Sequence, residues 1–360
     1  MRPLLVAGLS LLPVAGAYAA TIEQMAGQMI IIGFQGDSTD SRSVEGLKDA
    51  LRDGRIGGVM YLKTNVKSLD EVKAMNAAFR AATPDLPPFL TLDQEGGAVE
   101  RLTAEVGFDE VPNARTVAET MDPAAAEALY AGMARGLADL GFTVNFGPVA
   151  DLDLNKSNQI IAKFGRAFSA DPETVTAYDA AFVKAHRQQG VLTALKHFPG
   201  HGSSAKDSHE GFVDISKSWR KKELEPYKAL IAQDLADFIM VGHLYHKDHS
   251  PKDAQLPASL SPDWITGVLR EKLGYQGVVI SDDLEMGAIR EHFSTEETVT
   301  MAVRAGMDVL LFSNTAKYRP ELADEIRGIL VAEAEKDPKF ARRIEESYGR
   351  ILALKARIGK

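Results

Sequence analysis

The chain has 360 residues, 45% of them hydrophobic and 25% charged, which is the composition of an ordinary globular protein. A formal net charge of -9 with scattered basic residues excludes the concentrated positive surface that nucleic-acid or anionic-membrane binding requires. The absence of cysteine excludes disulfide bonds, thiolate metal sites and a cysteine nucleophile.

The first twenty residues differ in character from the rest of the chain. Arg2 is followed by an apolar run over Leu4–Val14, and Ala17-Tyr18-Ala19 places small residues at the positions that a signal peptidase reads. Because the run is short for a membrane span, the pattern favours a signal peptide over residues 1–20 rather than a membrane anchor. We therefore expect a periplasmic or secreted protein with no membrane attachment after cleavage. Without a functional signal peptide the protein would be cytoplasmic.

From residue 28 onwards, short apolar runs alternate with longer stretches of helical periodicity. Apolar runs rich in Val, Ile and Leu are typical of strands that are covered on both faces in a parallel sheet. We predict eight strands: Gln28–Phe34, Ile56–Leu62, Pro88–Asp93, Phe142–Val149, Val191–His197, Phe238–Leu244, Gly277–Asp282 and Met307–Phe312. Helices are predicted over Ser43–Asp53, Ser68–Ala82, Pro123–Leu140, Pro172–Gln189, Ser218–Asp234, Pro262–Leu273, Thr295–Ala305 and Tyr318–Ile358, the last with a break near Pro338.

Capping signals support several of these boundaries. Asp122-Pro123 and Asp171-Pro172 each place an N-cap residue before a proline at the first helical position. Gly141, Gly190, Gly274 and Gly306 lie between a helix and the next strand, where a left-handed residue ends many helices. Eight strand–helix units in about 330 residues fit a TIM-like (β/α)8 barrel with some long loops. We predict one catalytic domain over residues 21–360, with a doubly wound open sheet as the alternative fold.

Polar side chains follow the carboxyl ends of five predicted strands, where the active site of such a barrel lies. They are Asp93 with Arg101, Asp151 and Asp153 with Arg166, Lys196-His197 with the loop to Asp207 and His209, His243, and Asp282-Asp283. The beginnings of the strands show no such cluster. The sequence therefore predicts a functional site at one end of the barrel.

The loop after the fifth strand is the densest part of this cluster. Three histidines, a lysine and an aspartate fall between Lys196 and His209, and burying so many charges without partners would be costly. A carboxylate beside an imidazole orients the ring, so Asp207 and His209 are candidates for a general acid/base unit. The alternative is a turn in which the aspartate binds its own backbone.

Asp282 follows an apolar run and is therefore expected to be partly shielded from water. Of the adjacent aspartates, Asp283 could cap the following helix while Asp282 reacts. A carboxylate can attack a carbocation-like centre and stabilise its charge, so Asp282 is the candidate nucleophile.

Donors and acceptors alternate among a second set of residues, which suits a polyhydroxylated ligand such as a sugar. The set consists of Asp93, Arg101, Arg166, Lys196 and His197. Phe34, Tyr61 and Phe198 could stack on that ligand or belong to the core.

Metal and phosphate chemistry receive less support from the sequence. His197, His201, His209 and His243 could be metal ligands, but there is no His-Glu-x-x-His helix, and Lys196 would repel a cation. Neither a nucleophile-elbow serine nor a glycine-rich phosphate loop is present. We therefore expect no metal and no cofactor.

Five motifs resemble glycoside hydrolase family 3, and most closely its bacterial β-N-acetylhexosaminidase branch. They are Leu92-Asp93-Gln94-Glu95-Gly96-Gly97, Phe164-Gly165-Arg166-Ala167-Phe168, Lys196-His197-Phe198-Pro199-Gly200-His201-Gly202, Asp207-Ser208-His209 and Ser281-Asp282-Asp283-Leu284-Glu285-Met286. They follow the family's order over residues 22–350. One departure is Ala98, where the family commonly has arginine.

The resemblance implies a TIM-like barrel and a retaining double displacement. In that mechanism Asp282 would be the nucleophile, and His209 the acid/base supported by Asp207. The resemblance also implies the residues that would bind N-acetylglucosamine: Asp93, Arg101, Arg166, Lys196 and His197. The usual glycosidase uses two carboxylates, whereas this branch resembles an exception with a histidine as the acid.

The expected function is release of N-acetylglucosamine from peptidoglycan or chitin fragments by a monomeric enzyme. Peptidoglycan-recycling members of this branch are typically cytoplasmic, so the predicted signal peptide is a second departure. One alternative is a phosphorylase, because a histidine acid/base does not repel phosphate as a carboxylate would. Another is a non-catalytic amino-sugar-binding protein, although that class lacks the equivalent of Asp282 or His209, and both are present here.

Overall fold

The structure is a computed structural model that describes residues 20–83, 85–252, 254–315 and 317–359. Its strands are β1 (Ile30–Gly33), β2 (Gly58–Met60), β3 (Phe89–Leu92), β4 (Val144–Asn145), β5 (Leu192–Phe198), β6 (Val213–Asp214), β7 (Phe238–Val241), β8 (Leu244–Tyr245), β9 (Val278–Ser281) and β10 (Leu310–Phe312). Eight of them form one parallel sheet in the order β10-β1-β2-β3-β4-β5-β7-β9, and β6 pairs with β8 outside it. A parallel bridge between Ile280 and Val309 brings the two edges of the sheet together. The predicted TIM-like (β/α)8 barrel is confirmed.

Helices surround this barrel. They are α1 (Ile22–Gln28), α2 (Arg42–Arg52), α3 (Leu69–Ala82), α4 (Ala114–Thr120), α5 (Pro123–Asp139), α6 (Pro172–Arg187), α7 (Glu225–Ala232), a π-helix (Asp263–Lys272), α8 (Gly287–Arg290), α9 (Thr295–Ala305), α10 (Leu322–Lys336) and α11 (Pro338–Lys355). The break predicted near Pro338 separates α10 from α11. No helix in the described ranges is long and apolar enough to cross a bilayer. The predicted signal peptide lies outside those ranges, apart from Ala20.

Local chemistry explains most of the element boundaries. The Asp122 and Asp171 carboxylates accept hydrogen bonds from the amides three residues later, as predicted. The four predicted helix-terminating glycines all have positive φ angles: Gly141, Gly190, Gly274 and Gly306. Several predicted boundaries differ from the observed ones by two or more residues, and prolines account for two of the differences. The strand predicted over Phe142–Val149 stops at Asn145, because Pro148 cannot donate to the ladder. The helix predicted from Ser218 begins at Glu225, because Pro226 fits only in a first turn.

The amino-terminal end of the barrel is closed by a buried lysine at the end of α11. Lys355 is 2% exposed, and its Nζ donates to Gln28 Oε1 at 2.8 Å and to the Gly57 carbonyl at 2.9 Å. The Nζ also lies 4.7 Å from the centroid of the Phe89 ring. Both hydrogen-bond partners are neutral, and burial lowers the pKa of Lys355 to about 7.

This lysine is expected to make stability rise with pH. The ordinary pKa of lysine is 10.5, so between about pH 7 and 10.5 the unfolded chain binds more protons than the folded chain. The free energy of unfolding then rises with pH through this window, by at most about 1.4 kcal/mol per pH unit, and levels off below it. Lys355→Met should remove that rise in urea unfolding at pH 7.5, 8.5 and 9.5. Lys339→Met, an exposed position on the same helix, should keep it, and equal slopes in both variants would contradict the assignment.

Candidate active site

A pocket of about 340 Å³ opens at the carboxyl end of the barrel. It is lined by Met60, Leu62, Asp93, Val99, Arg101, Phe146, Ile160, Arg166, Lys196, His197, His209, Met240, Asp282, Asp283, Met286, Leu311, Ser313 and Thr315. Seven of the eight predicted site residues therefore meet in one pocket, and the eighth, Asp207, lies behind His209. A larger cavity at the opposite end, beside α11, contains none of them.

Asp93, directly after β3, is the centre of one charged group in this pocket. Lys196 Nζ lies 2.7 Å from Asp93 Oδ1, and Arg101 Nη2 lies 2.7 Å from Asp93 Oδ2. Burial alone would raise the pKa of Asp93, but the two cations outweigh it and hold the pKa well below its ordinary value. Asp93 is therefore an ionised acceptor, with donors held on both sides of it.

Glu95 completes this group, and the sequence prediction missed it. Arg166 donates two hydrogen bonds to the Glu95 carboxylate, from Nε to Oε2 at 2.9 Å and from Nη2 to Oε1 at 2.8 Å. Lys196 Nζ lies 2.6 Å from Glu95 Oε1. Burial opposes ionisation, but the two cations lower the pKa of Glu95 to about 2. A charge count could have found this residue, because three predicted cations around Asp93 alone leave two positive charges unmatched.

Asp151, after β4, is the second residue that the predicted binding set omitted. Its Oδ2 lies 2.7 Å from His197 Nδ1, and its Oδ1 accepts a 2.7 Å hydrogen bond from the His201 amide. This contact orients His197, whose Nε2 lies 3.4 Å from Arg166 Nη2. The signal was available in the sequence, since Asp151 closely follows the predicted strand that precedes the lysine–histidine strand.

Asp282 lies at the end of β9 with one oxygen free for chemistry. Its Oδ1 accepts a 2.8 Å hydrogen bond from the Asp283 amide, and no described residue hydrogen-bonds to Oδ2. Burial would raise the pKa of Asp282, but the imidazoles of His197, His243 and His209 together hold it below the ordinary value. An ionised carboxylate facing the pocket is what a nucleophile requires.

Asp283 has a different role from its neighbour. Its Oδ1 accepts hydrogen bonds from the amides of Glu285 at 3.1 Å and Ser313 at 2.9 Å. Asp283 therefore holds a turn and the start of the next loop together, rather than capping a helix as the sequence suggested. Burial raises its pKa.

Asp207 and His209 form the predicted pair. His209 Nδ1 lies 2.7 Å from Asp207 Oδ1, and the same oxygen accepts a 2.9 Å hydrogen bond from the His209 amide. Burial would raise the pKa of Asp207, but these contacts lower it. The His209 side chain is 59% exposed, so its Nε2 is open to the pocket mouth. The turn that the sequence left as an alternative is present, and it also orients the ring.

The aromatic side chains proposed for sugar stacking do not take that role. Phe34, Tyr61 and Phe198 are fully buried in the core, and Phe34 packs edge-on against Tyr61 with ring centroids 5.0 Å apart. The phenylalanine ring that lines the pocket is Phe146. In the ranges that the structure describes, no three His, Asp or Glu side chains are grouped to hold a metal ion.

The charged group around Asp93 and Glu95, whose cations are Arg101, Arg166 and Lys196, should also stabilise the folded state. Lys196 is 2% exposed, and removing it leaves two buried carboxylates short of a partner. We expect Lys196→Met to lower the free energy of unfolding by about 3–5 kcal/mol in urea titrations. Lys156→Met is the matched control, because Lys156 also pairs with an aspartate but is 75% exposed. Its cost should be about 0–1 kcal/mol, and similar costs for both variants would refute the argument.

Comparisons with known proteins show to which family this chain belongs. The model described as "Glycosyl hydrolase family 3 N terminal domain" matches residues 21–353. A relative named beta-hexosaminidase from Stenotrophomonas maltophilia (strain R551-3) is 35% identical over 309 residues, covering 82% of this chain and 85% of the relative.

Solved structures agree with this assignment. A family 3 beta-N-acetylglucosaminidase from Paenibacillus sp. str. FPU-7 is 31% identical with a TM-score of 0.85, over 94% of this chain and 63% of that one. The chain thus spans less than two thirds of that protein. A beta-N-acetylhexosaminidase from Beutenbergia cavernae DSM 12333 is 28% identical with a TM-score of 0.81, over 94% and 99% of the two chains. The resemblance predicted from the motifs is confirmed, and this chain belongs to glycosyl hydrolase family 3 as a glycoside hydrolase.

Proposed function

We propose that this chain is a retaining exo-β-N-acetylhexosaminidase that releases N-acetylglucosamine from peptidoglycan- or chitin-derived fragments. The observation that carries the proposal is one pocket lined by an ionised carboxylate, Asp282, and by an exposed imidazole, His209, held by its own carboxylate. Relatives named beta-hexosaminidase and beta-N-acetylglucosaminidase support the choice of sugar.

In the first step, the free oxygen of Asp282 attacks the anomeric carbon while His209 protonates the departing oxygen. The bond to the leaving group breaks, and a glycosyl-enzyme forms through Asp282. In the second step, His209 takes a proton from water, which attacks the same carbon and releases Asp282. Asp207 holds the His209 ring in place during both steps, because it contacts Nδ1 and leaves Nε2 free.

The charged group would bind the sugar. Asp93 is an ionised acceptor, and Arg101, Arg166 and Lys196 are fixed donors that also line the pocket. Because these side chains are already held by one another, their orientation is set before the ligand arrives. His197 contributes a ring that Asp151 keeps in one orientation.

The test compares purified protein on 4-nitrophenyl β-N-acetylglucosaminide and on the corresponding β-glucoside, with and without phosphate. Phosphate-independent release from the first substrate, with little from the second, is the expected result. Release that requires phosphate and yields a sugar phosphate would establish a phosphorylase instead. Binding of N-acetylglucosamine by calorimetry without turnover of either substrate would establish a non-catalytic binding protein.

We also propose that the protein is exported, which would direct it to cell-wall or environmental substrates. This proposal rests on the sequence of residues 1–20. Cell fractionation with N-terminal sequencing should find a mature chain that begins near Ala20 or Thr21. Soluble cytoplasmic protein that retains Met1 would overturn it.

A further inference from the structure

The segment Asp207–Gly211, which carries His209, is held from two sides. On one side, His201 Nε2 lies 3.2 Å from Ser208 Oγ, and His201 Nδ1 lies 2.7 Å from Ser204 Oγ. Burial lowers the pKa of His201 to about 4, so its ring is neutral and offers one donor and one acceptor to these hydroxyls. This side of the segment is therefore tied to the end of β5.

On the other side, the segment contacts the first turn of α8, which follows the Asp282 strand. The Gly287 amide donates to the His209 carbonyl, and the Ala288 amide donates to the Ser208 carbonyl, both at 3.3 Å. These two amides belong to the start of a helix, where amide groups lack partners inside the helix itself. The backbone of the candidate acid/base is thus bonded to the element that follows the candidate nucleophile.

Gly287 is the point at which the two segments touch most closely. A Cβ atom on residue 287 would lie 2.8 Å from the His209 carbonyl oxygen and 3.2 Å from the Gly211 amide nitrogen. A distance below 3.0 Å to a backbone atom cannot be relieved by a rotamer change, so the His209 segment would have to move. Gly287 is helical, and its backbone conformation is one that alanine adopts readily.

We propose that Gly287 is a positioning residue for His209. Its missing side chain lets the His209 segment dock on α8, and this docking sets the distance between the imidazole and the leaving-group oxygen. The inference rests on the proposed function, because it requires His209 to be the acid/base. A misplacement of about 1 Å in a reacting group can cost about 10²-fold in rate, so a small backbone shift here would be measurable.

The test is Gly287→Ala in the full chain, assayed on two β-N-acetylglucosaminides, a disaccharide and a 2,4-dinitrophenyl glycoside. We expect kcat/KM to fall about 10²-fold on the disaccharide, which needs protonation, and far less on the dinitrophenyl substrate, which does not. The thermal midpoint should change little, because the displaced segment is largely exposed and contributes no residue to the hydrophobic core of the described chain. A merely structural role would lower both rates together.

Gly328→Ala is the matched control, since Gly328 is also helical and a Cβ there would meet nothing within 4 Å. Both of its rates should equal those of the unmodified protein. Sodium azide gives an independent readout, because this anion can displace Asp282 from the glycosyl-enzyme without a base. Azide should accelerate turnover of the dinitrophenyl substrate by Gly287→Ala and leave that of Gly328→Ala unchanged.

Two failures are distinguishable in this design. If His209→Ala shows leaving-group dependence and Gly287→Ala does not, the positioning role is overturned while the proposed function stands. If His209→Ala itself shows no such dependence, the acid/base assignment falls and the positioning role falls with it. Should Gly287→Ala not fold, Ser208→Ala removes the contact with His201 from the opposite side, and it must then show the same selective loss.

Discussion

Replacing Asp282 with alanine is expected to lower kcat about 10⁴-fold or more on every β-N-acetylglucosaminide, whatever the leaving group. The glycosyl-enzyme cannot form without a carboxylate at the anomeric carbon. Neighbouring carboxylates cannot substitute, because two cations engage Asp93 and two backbone amides engage Asp283. The loss should appear in single-turnover rates as well as at steady state.

The configuration of the product formed with azide tests whether Asp282, and not a neighbouring carboxylate, is the nucleophile. With the carboxylate removed, azide can enter the vacated space and attack in one displacement, so Asp282→Ala should give the α-glycosyl azide by NMR. His209→Ala keeps the double displacement and should give the β-glycosyl azide. Asp283→Asn is the matched control, because an amide oxygen can still accept from the amides of Glu285 and Ser313. Finding the α-product with Asp283→Asn would move the nucleophile to Asp283.

Replacing His209 with alanine is expected to cost about 10²–10⁴-fold on a disaccharide and much less on an aryl glycoside. A nitrophenolate leaves without a proton, so formation of the glycosyl-enzyme suffers little. Hydrolysis of that intermediate needs a base and should then become the slow step. The exposed His209 ring, held at Nδ1 by Asp207, is placed for both roles.

Stopped-flow release of nitrophenolate measures this directly. His209→Ala should show a burst that matches the enzyme concentration, followed by slow turnover, whereas Asp282→Ala should show no burst. Asp207→Asn should lie between the unmodified protein and His209→Ala, because it weakens the support of the ring and leaves the ring in place. Equal losses on both substrates without a burst would contradict the role of His209 and make Asp283 or Glu95 the next candidate for the acid/base.

The barrel and most of the site could be predicted from the order of apolar runs, helical stretches and polar residues along the sequence. Eight apolar runs of strand length are spaced by helices, and their periodicity depends on local sequence alone. Residues such as Asp93, Lys196 and Asp282 follow directly after those runs, so the rule that parallel strands share one carboxyl end predicts their meeting. Seven of the eight predicted site residues line one pocket for this reason.

The sequence by itself therefore determined the fold, the end of the barrel that carries the site and most of its charged residues, although not the roles of Glu95 and Asp151. Only the tertiary structure decided which of those residues pair over long sequence separations, because such a buried ion pair depends on side chains that come together across the barrel. Glu95 and Arg166 are 71 residues apart in the chain, and Asp93 and Lys196 are 103 apart. The contact between Gly287 and the His209 carbonyl likewise exists only after β5 and β9 have taken their places in the sheet, since nothing in the local sequence of either segment specifies the other.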